Sequence, residues 1–146
     1  IVVTGVHHAL NLVEIEMLAK TNWNPVNPVG SCGNVAQAGA AMAVAVKSKS
    51  VKMKSLAYPS SVSALLGITE PAVFGVNLRL VSPFVCGGWL AAILGLKGTG
   101  MSITGIPGML LYLNEQFPLY ILVNVVAFGA AFALTYVFGM KGDVQE

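Results

Sequence analysis

Long apolar stretches alternate with short polar segments along this chain, and most charged residues lie at the ends of those stretches. Residues 117–140 carry no charge and are long enough to cross a hydrocarbon core of about 30 Å. Residues 81–97 are uncharged as far as Lys97 and predict a second span. Residues 34–46 are rich in alanine, which allows close helix packing. This pattern predicts an all-α, polytopic transmembrane protein.

Residues 1–19 predict a helix that is unusually polar for a membrane span. His7, Asn11 and Glu14 are spaced i, i+4, i+7 and share one face, whereas Glu16 lies nearly opposite. In one interpretation this helix is interfacial or faces a bundle, and neighbouring helices satisfy its polar groups. In the other, the histidines and Asn11 line a ligand cavity.

Residues 56–79 are largely apolar and carry no charge apart from Glu70 and the closing Arg79. An ionised carboxylate within a bilayer costs about 2.5 to 3.5 kcal/mol on insertion scales, so a functional role is expected. Pro71 lacks an N–H and disfavours the α conformation of the residue before it. We therefore predict a broken, re-entrant hairpin, with Glu70 at its tip in a polar cavity.

The polar segments between these stretches predict loops and topology. Residues 22–33 are rich in Asn, Pro and Gly and predict a loop or a non-helical entry into the membrane. The lysines of residues 47–54 predict a cytoplasmic loop. Asn34 and Gln37, spaced i, i+3, would hydrogen-bond either to a neighbouring helix or to a hydroxylated ligand. Arg79 would serve as an interfacial anchor or hold a phosphate or sugar.

Composition supports the membrane assignment and excludes several classes of function. Of 146 residues, 55% are hydrophobic and only 10% charged, with a mean hydropathy of +0.75, whereas soluble domains are about 25% charged. The formal charge of +2 is too small to indicate nucleic-acid binding. Soluble-enzyme motifs and metal-ligand spacings are absent, and Cys32 and Cys86 are interpreted as structural. The remaining carboxylate, imidazole and amide groups suit hydrogen bonds to sugar hydroxyls.

Three motifs give a more specific indication. They are TGVHHALN at residues 4–11, NVAQAG at residues 34–39 and, most specifically, GITEPAVFGVNLR at residues 67–79. Together they resemble the membrane-embedded IIC component of the phosphoenolpyruvate-dependent sugar phosphotransferase system, within the glucose superfamily. The similarity lies in the sucrose, trehalose, maltose and β-glucoside branch. Sucrose is the first choice of substrate, on overall similarity of the helices rather than on a diagnostic residue.

The resemblance implies a mechanism and a set of partners. A IIC component binds the sugar in an occludable cavity and presents it to a cytoplasmic IIB domain, whose phosphocysteine phosphorylates a sugar hydroxyl. No bound cofactor is expected; phosphoenolpyruvate is the ultimate phosphoryl donor, through a phosphocarrier protein and a IIA domain. The family also implies a homodimer in the bacterial cell membrane. The whole chain, residues 1–146, is expected to be the later part of one IIC domain, lacking earlier helices of the dimer interface and the IIB cysteine motif.

Site residues follow from the same resemblance. Glu70 is expected to contact the sugar, either positioning the reacting hydroxyl or acting as its general base, with Thr69 beside it. His7 or His8 is expected to be a second contact. The full set of predicted sugar-binding residues is Glu70, Thr69, His7, His8, Asn11, Asn34, Gln37, Asn77 and Arg79, with no metal site.

Two other hypotheses use the same residues. A secondary sugar transporter would use Glu70 as a proton carrier and deliver unmodified sugar. A non-transporting membrane scaffold would use its polar residues only to hold helices together.

Overall fold

The computed structural model describes residues 7–22, 24, 26–77, 106–107 and 117–138. Its regular elements are all helical, which confirms the predicted all-α class. In chain order these are α1 (His7–Thr21), α2 (Val26–Lys47), α3 (Val51–Leu65), α4 (Glu70–Gly75) and α5 (Phe117–Phe138). The predicted span at residues 81–97 lies outside the described residues, and the predicted span at residues 117–140 contains α5.

Helix α2 begins earlier than the sequence pattern predicts. Asn24 caps its start, because the Asn24 Oδ1 accepts hydrogen bonds from the N–H groups of Val26 (2.9 Å) and Asn27 (3.2 Å). Pro28 falls in the first turn, where a missing N–H removes no intrahelical bond. The predicted loop at residues 22–33 is therefore wrong from Val26 onward, because the prolines and asparagines there begin a helix.

Helices α2 and α5 pack side by side and run in the same direction. Near their N-termini the Ser31 hydroxyl hydrogen-bonds to the Tyr120 side chain. At their C-termini, the Lys47 ammonium donates to the Tyr136 carbonyl and lies 4.9 Å from the centroid of its ring. The last carbonyls of a helix have no intrahelical partner, so Lys47 supplies a cap to the end of α5.

Small residues let α2 approach its neighbours closely. Between α2 and α5, an added Cβ on Gly39 would lie 2.5 Å from the Phe128 carbonyl oxygen. Cys32 is fully buried in a cluster with Val123 and Ala127, in agreement with the structural role predicted for it. The remainder of α2 contributes a row of buried alanines that α3 and α4 cover. Van der Waals packing of small residues is the usual basis of helix association in membranes.

Helix α3 follows α2 after only three residues and runs back along it. Ser50 caps α3 by accepting the Met53 N–H (3.5 Å), and the helix continues through Pro59. The predicted loop at residues 47–54 is therefore wrong except at 48–50, since lysine is a good helix former and Ser50 supplies the cap. Deeper in the bundle, the Ser61 hydroxyl donates to the Ala38 carbonyl of α2 (2.8 Å).

The chain reverses again after α3, and α4 returns beside it. An added Cβ on Gly75, the last residue of α4, would lie 3.3 Å from the Leu56 side chain. Asn77, just after α4, donates from its Nδ2 to the Gln37 carbonyl of α2 (3.1 Å). Helices α3 and α4 thus form a helical hairpin that contacts α2 on both of its arms.

Two of the described helices, at residues 26–47 and 117–137, are long and apolar enough to cross a membrane. Because α2 and α5 are parallel, their C-terminal ends lie at the same side of the bundle. That side also carries the lysines at positions 47, 49, 52 and 54.

The contact at Gly39 predicts a specific effect on stability. Replacing Gly39 by alanine places a methyl group against backbone that has no side chain to rearrange, and we expect the free energy of unfolding to fall by about 1 to 3 kcal/mol. The measurement is thermal unfolding of the full-length protein in detergent.

Gly33 provides the matched control, since it lies on the same helix and an added Cβ there meets no atom of the described residues within 4 Å. Gly33→Ala is expected to leave the unfolding midpoint unchanged or to raise it, because alanine favours a helix over glycine by about 0.5 to 1 kcal/mol. Equal stability of the two variants would contradict the backbone contact.

Candidate functional site

The turn between α3 and α4 contains the first residues of the GITEP sequence. Helix α3 ends in a Schellman arrangement: the Gly67 N–H donates to the Ala64 carbonyl (3.1 Å) and the Ile68 N–H to the Ser63 carbonyl (3.0 Å). Gly67 adopts φ 94°, a left-handed conformation that side chains with a Cβ disfavour. The glycine of this motif is therefore required by the geometry of the helix stop.

Glu70 is the first residue of α4. The sequence predicted the helix break at Glu70 itself, whereas the break lies just before it, at residues 66–69. Pro71 occupies the first turn of α4, where its ring fits the helix and its missing N–H costs nothing. The Glu70 side chain is exposed, and Thr69 beside it is 5% exposed. A carboxylate at a helix N-terminus interacts favourably with the helix dipole.

The hairpin turns part of the way along α2. Leu65, at the end of α3, and Val35 of α2 line the same groove, which places the turn near the level of Val35. At about 1.5 Å per residue, Val35 is roughly 18 Å from Lys47 along a helix about 33 Å long. The Glu70 carboxylate therefore lies near the middle of α2 in depth, on a hairpin that starts at the lysine-bearing end.

Gln37, which is half-buried on α2, and Asn77, which is fully buried, are joined by a hydrogen bond beside the hairpin. Asn77 is fully buried and its Nδ2 donates to the Gln37 backbone carbonyl. The Asn77 Oδ1 and the Gln37 Oε1 are both buried without a hydrogen-bond donor in the described part of the structure. Buried carbonyl oxygens of this kind are costly unless a donor reaches them. The pair can accept hydrogen bonds from the hydroxyl groups of a ligand.

The other predicted site residues are distributed differently. Asn34 is half-buried on α2, one turn before Gln37. Asn11 is exposed on α1, and no described contact joins it to the hairpin. His7 and His8 open α1, but their side chains lie outside the described part of the structure, as does all of Arg79. The structure thus places Thr69 and Glu70 at the turn of the hairpin, and Asn77 at the end of α4 in contact with Gln37 of α2.

Sequence analysis missed three polar residues that shape this region, Asn24, Ser61 and Ser63. Asn24 bridges α1 and α2, because it donates from its Nδ2 to the Glu14 carboxylate (3.0 Å) as well as capping α2. Ser61 joins α3 to α2, and the Ser63 hydroxyl donates to the Ile68 carbonyl across the turn (2.9 Å). The signal for Ser63 was its position four residues before a helix-ending glycine.

An apolar groove of about 290 Å³ separates this region from α5. Val35, Leu65 and Phe128 are among its lining residues, and Asn124 is the one polar side chain among those described. The described lining of this groove offers a sugar few hydrogen-bond partners.

The described helices define a membrane-embedded all-α protein with an interrupted helical hairpin that carries a carboxylate at its tip. Comparison with known proteins gives the family. The family described as "Phosphotransferase system, EIIC" matches residues 1–95, and the chain belongs to that family. No solved structure matches the chain.

Several curated relatives are similar to the chain along nearly its whole length. The "PTS system sucrose-specific EIIBC component" of Vibrio alginolyticus is 41% identical, over 97% of this chain and 32% of its own length. The protein of the same description from Salmonella typhimurium is 39% identical, over 99% of the chain and 34% of its own length. The "PTS system beta-glucoside-specific EIIBCA component" of Bacillus subtilis is 35% identical, over 97% of the chain and 24% of its own length. The chain thus spans about a third or less of the length of these relatives.

The conformation of Gly67 predicts how substitutions at the turn rank. Gly67→Val forces a β-branched residue into a left-handed conformation and is expected to destabilise the protein by about 1 to 3 kcal/mol. Gly67→Asn should cost less, because asparagine tolerates this conformation. Thermal unfolding of the full-length protein checks the ranking, and an asparagine variant as unstable as the valine variant would contradict it.

Proposed function

We propose that the full-length protein takes up a sugar, with sucrose as the first candidate, and phosphorylates it during uptake through a IIB domain. The observation that carries this proposal is the GITEP carboxylate at the tip of the α3–α4 hairpin. The similarity to relatives described as sucrose-specific supports sucrose over other sugars. Because another relative is described as β-glucoside-specific, β-glucosides are the second class of substrate to be tested.

The topology of the hairpin supports access to Glu70 from the cytoplasm. Short lysine-rich segments stay on the cytoplasmic side of a membrane, and Lys47, Lys49, Lys52 and Lys54 lie at the end from which α3 begins. The hairpin then enters from the cytoplasmic side and carries Glu70 to about half the depth of α2. A sugar bound there would be within the part of the membrane that opens toward a cytoplasmic phosphoryl donor.

In this proposal Glu70 accepts hydrogen bonds from hydroxyls at the reacting end of the sugar. The carboxylate orients the hydroxyl that is phosphorylated, or takes its proton as a general base. Phosphoryl transfer gains mainly from positioning and charge stabilisation, so orientation alone is a sufficient role. The buried oxygens of Gln37 and Asn77 accept further hydroxyls, and Thr69, Asn34 and Asn11 complete the polar surface. His7 or His8, together with Arg79, is proposed to contact the sugar as well.

The partners follow from the same proposal. Relatives are described as EIIBC and EIIBCA components, which supports IIB and IIA domains as partners or as fused parts of the parent chain. The phosphoryl group originates from phosphoenolpyruvate and reaches IIA through the phosphocarrier protein. We propose a multi-pass homodimer in the bacterial cell membrane, with its dimer contacts made by earlier helices of the domain.

The first experiment measures phosphoenolpyruvate-dependent phosphorylation of labelled sucrose in vesicles that contain the full-length protein, with the general phosphotransfer proteins added. We expect sucrose phosphate to form only when phosphoenolpyruvate is present. If sucrose stays unmodified, β-glucosides and other disaccharides are tested next. Accumulation of unmodified sugar that follows the proton gradient would replace this proposal with a secondary transporter.

Glu70→Gln tests the carboxylate, because it keeps the shape of the side chain and removes its charge. Hydrogen bonds to charged groups contribute about 1.5 to 3 kcal/mol, so we expect kcat/KM for sugar phosphorylation to fall about 10- to 100-fold or more. Glu16→Gln is the matched control: Glu16 is exposed on α1 and pairs with Lys20 (2.6 Å), and its variant should keep full activity. Near-normal activity of Glu70→Gln would remove Glu70 from the site.

A further inference from the structure

We propose that Ser63 is a positioning residue for Glu70, an inference that rests on the proposed function of Glu70. Ser63 lies in the last turn of α3 and makes two hydrogen bonds to one residue, Ile68. Its backbone carbonyl accepts the Ile68 N–H (3.0 Å), and its hydroxyl donates to the Ile68 carbonyl (2.9 Å). Both peptide groups that flank Ile68 are therefore held by the same serine.

This pair of bonds determines the direction in which α4 leaves the turn. Helix α4 is fixed from its own side by the Val73 N–H, which donates to the Thr69 carbonyl (2.8 Å). Only the backbone dihedral angles of Thr69 separate the peptide held by Ser63 from the first turn of α4. Thr69 is itself buried, so its side chain has little room to move. The hydroxyl of Ser63 thus holds the backbone from which Glu70 projects at the start of α4.

Loss of the hydroxyl would leave the helix stop itself in place. The backbone bonds from Gly67 to Ala64 and from Ile68 to Ser63 do not involve the serine side chain. The peptide between Ile68 and Thr69 would lose its only described partner on the α3 side. A substitution at Ser63 should therefore misplace Glu70 without unfolding the hairpin.

Other serines of α3 have different partners and serve as comparisons. The Ser60 hydroxyl donates to the Leu56 carbonyl within the same helix (2.7 Å), and Ser60 is 2% exposed. Ser60→Ala therefore removes a buried hydroxyl from α3 without touching the turn. It controls for the general effect of losing a serine from this helix.

The test compares Ser63→Val with Ser63→Thr in the full-length protein, because valine and threonine have the same shape and only threonine keeps the hydroxyl. A misplacement of about 1 Å at a reacting group can cost about 100-fold, so we expect Ser63→Val to lower kcat/KM for sugar phosphorylation by about 10-fold or more. The KM for sugar should rise, and Ser63→Thr and Ser60→Ala should stay within about threefold of the unmodified protein. Thermal unfolding should give similar midpoints for the valine and threonine variants.

Two results would overturn the inference. The first is equal kinetics for Ser63→Val and Ser63→Thr, whether both are active or both inactive. The second is a loss of activity in Ser63→Val that Ser60→Ala reproduces. Glu70→Gln, measured in the same vesicles, separates this inference from the proposed function. If Glu70→Gln is inactive and Ser63→Val is active, only the role of Ser63 is wrong; if both are active, the proposed site is wrong and the inference fails with it.

Discussion

The carbonyl oxygen of Phe128 lies where a side chain at position 39 would stand. Because Gly39 has no side chain, the backbones of α2 and α5 can pack directly against each other. This close contact lies midway between the Ser31–Tyr120 and Lys47–Tyr136 contacts of the same two helices. With α2 held against α5, Lys47 reaches the end of α5, and the Ala38 carbonyl faces the Ser61 hydroxyl of α3. The hairpin is thus fixed in depth by α2, and its tip lies about halfway along that helix.

The hairpin solves a problem of unsatisfied backbone groups at this depth. A helix that stops within a membrane leaves carbonyls without partners, and in hydrocarbon each would cost several kcal/mol. Here the Schellman bonds satisfy carbonyls at the end of α3, the Ser63 hydroxyl satisfies the Ile68 carbonyl in the turn, and Pro71 lacks the N–H that would otherwise be unpaired at the start of α4. The side chain of Glu70 is exposed at this turn.

The sequence predicted the helical class and the span that contains α5, because a long uncharged run fits few structures besides a membrane helix. It also predicted a break next to Glu70, since proline disfavours a continuous helix through the residue before it. The loop prediction failed because proline and asparagine occur both in loops and in the first turn of helices. In residues 26–33 they begin a helix and do not form a loop, and whether an asparagine caps depends on which N–H groups lie near it. The pairing of Gln37 with Asn77 was also beyond the sequence, since it depends on how far α4 returns along α2.

The parallel pairing of α2 with α5 also constrains how the protein is synthesised. The Lys47 and Tyr136 groups that meet at the end of this pair are 89 residues apart in the chain. At about 5 to 20 residues per second, the ribosome takes roughly 4 to 18 s to add the second after the first. During that interval α2 must wait in the membrane with Ser31 and Lys47 lacking their partners on α5. The pair of α2 and α5 therefore assembles only after α5 has been made, whereas the hairpin can pack against α2 as soon as residue 77 has been added.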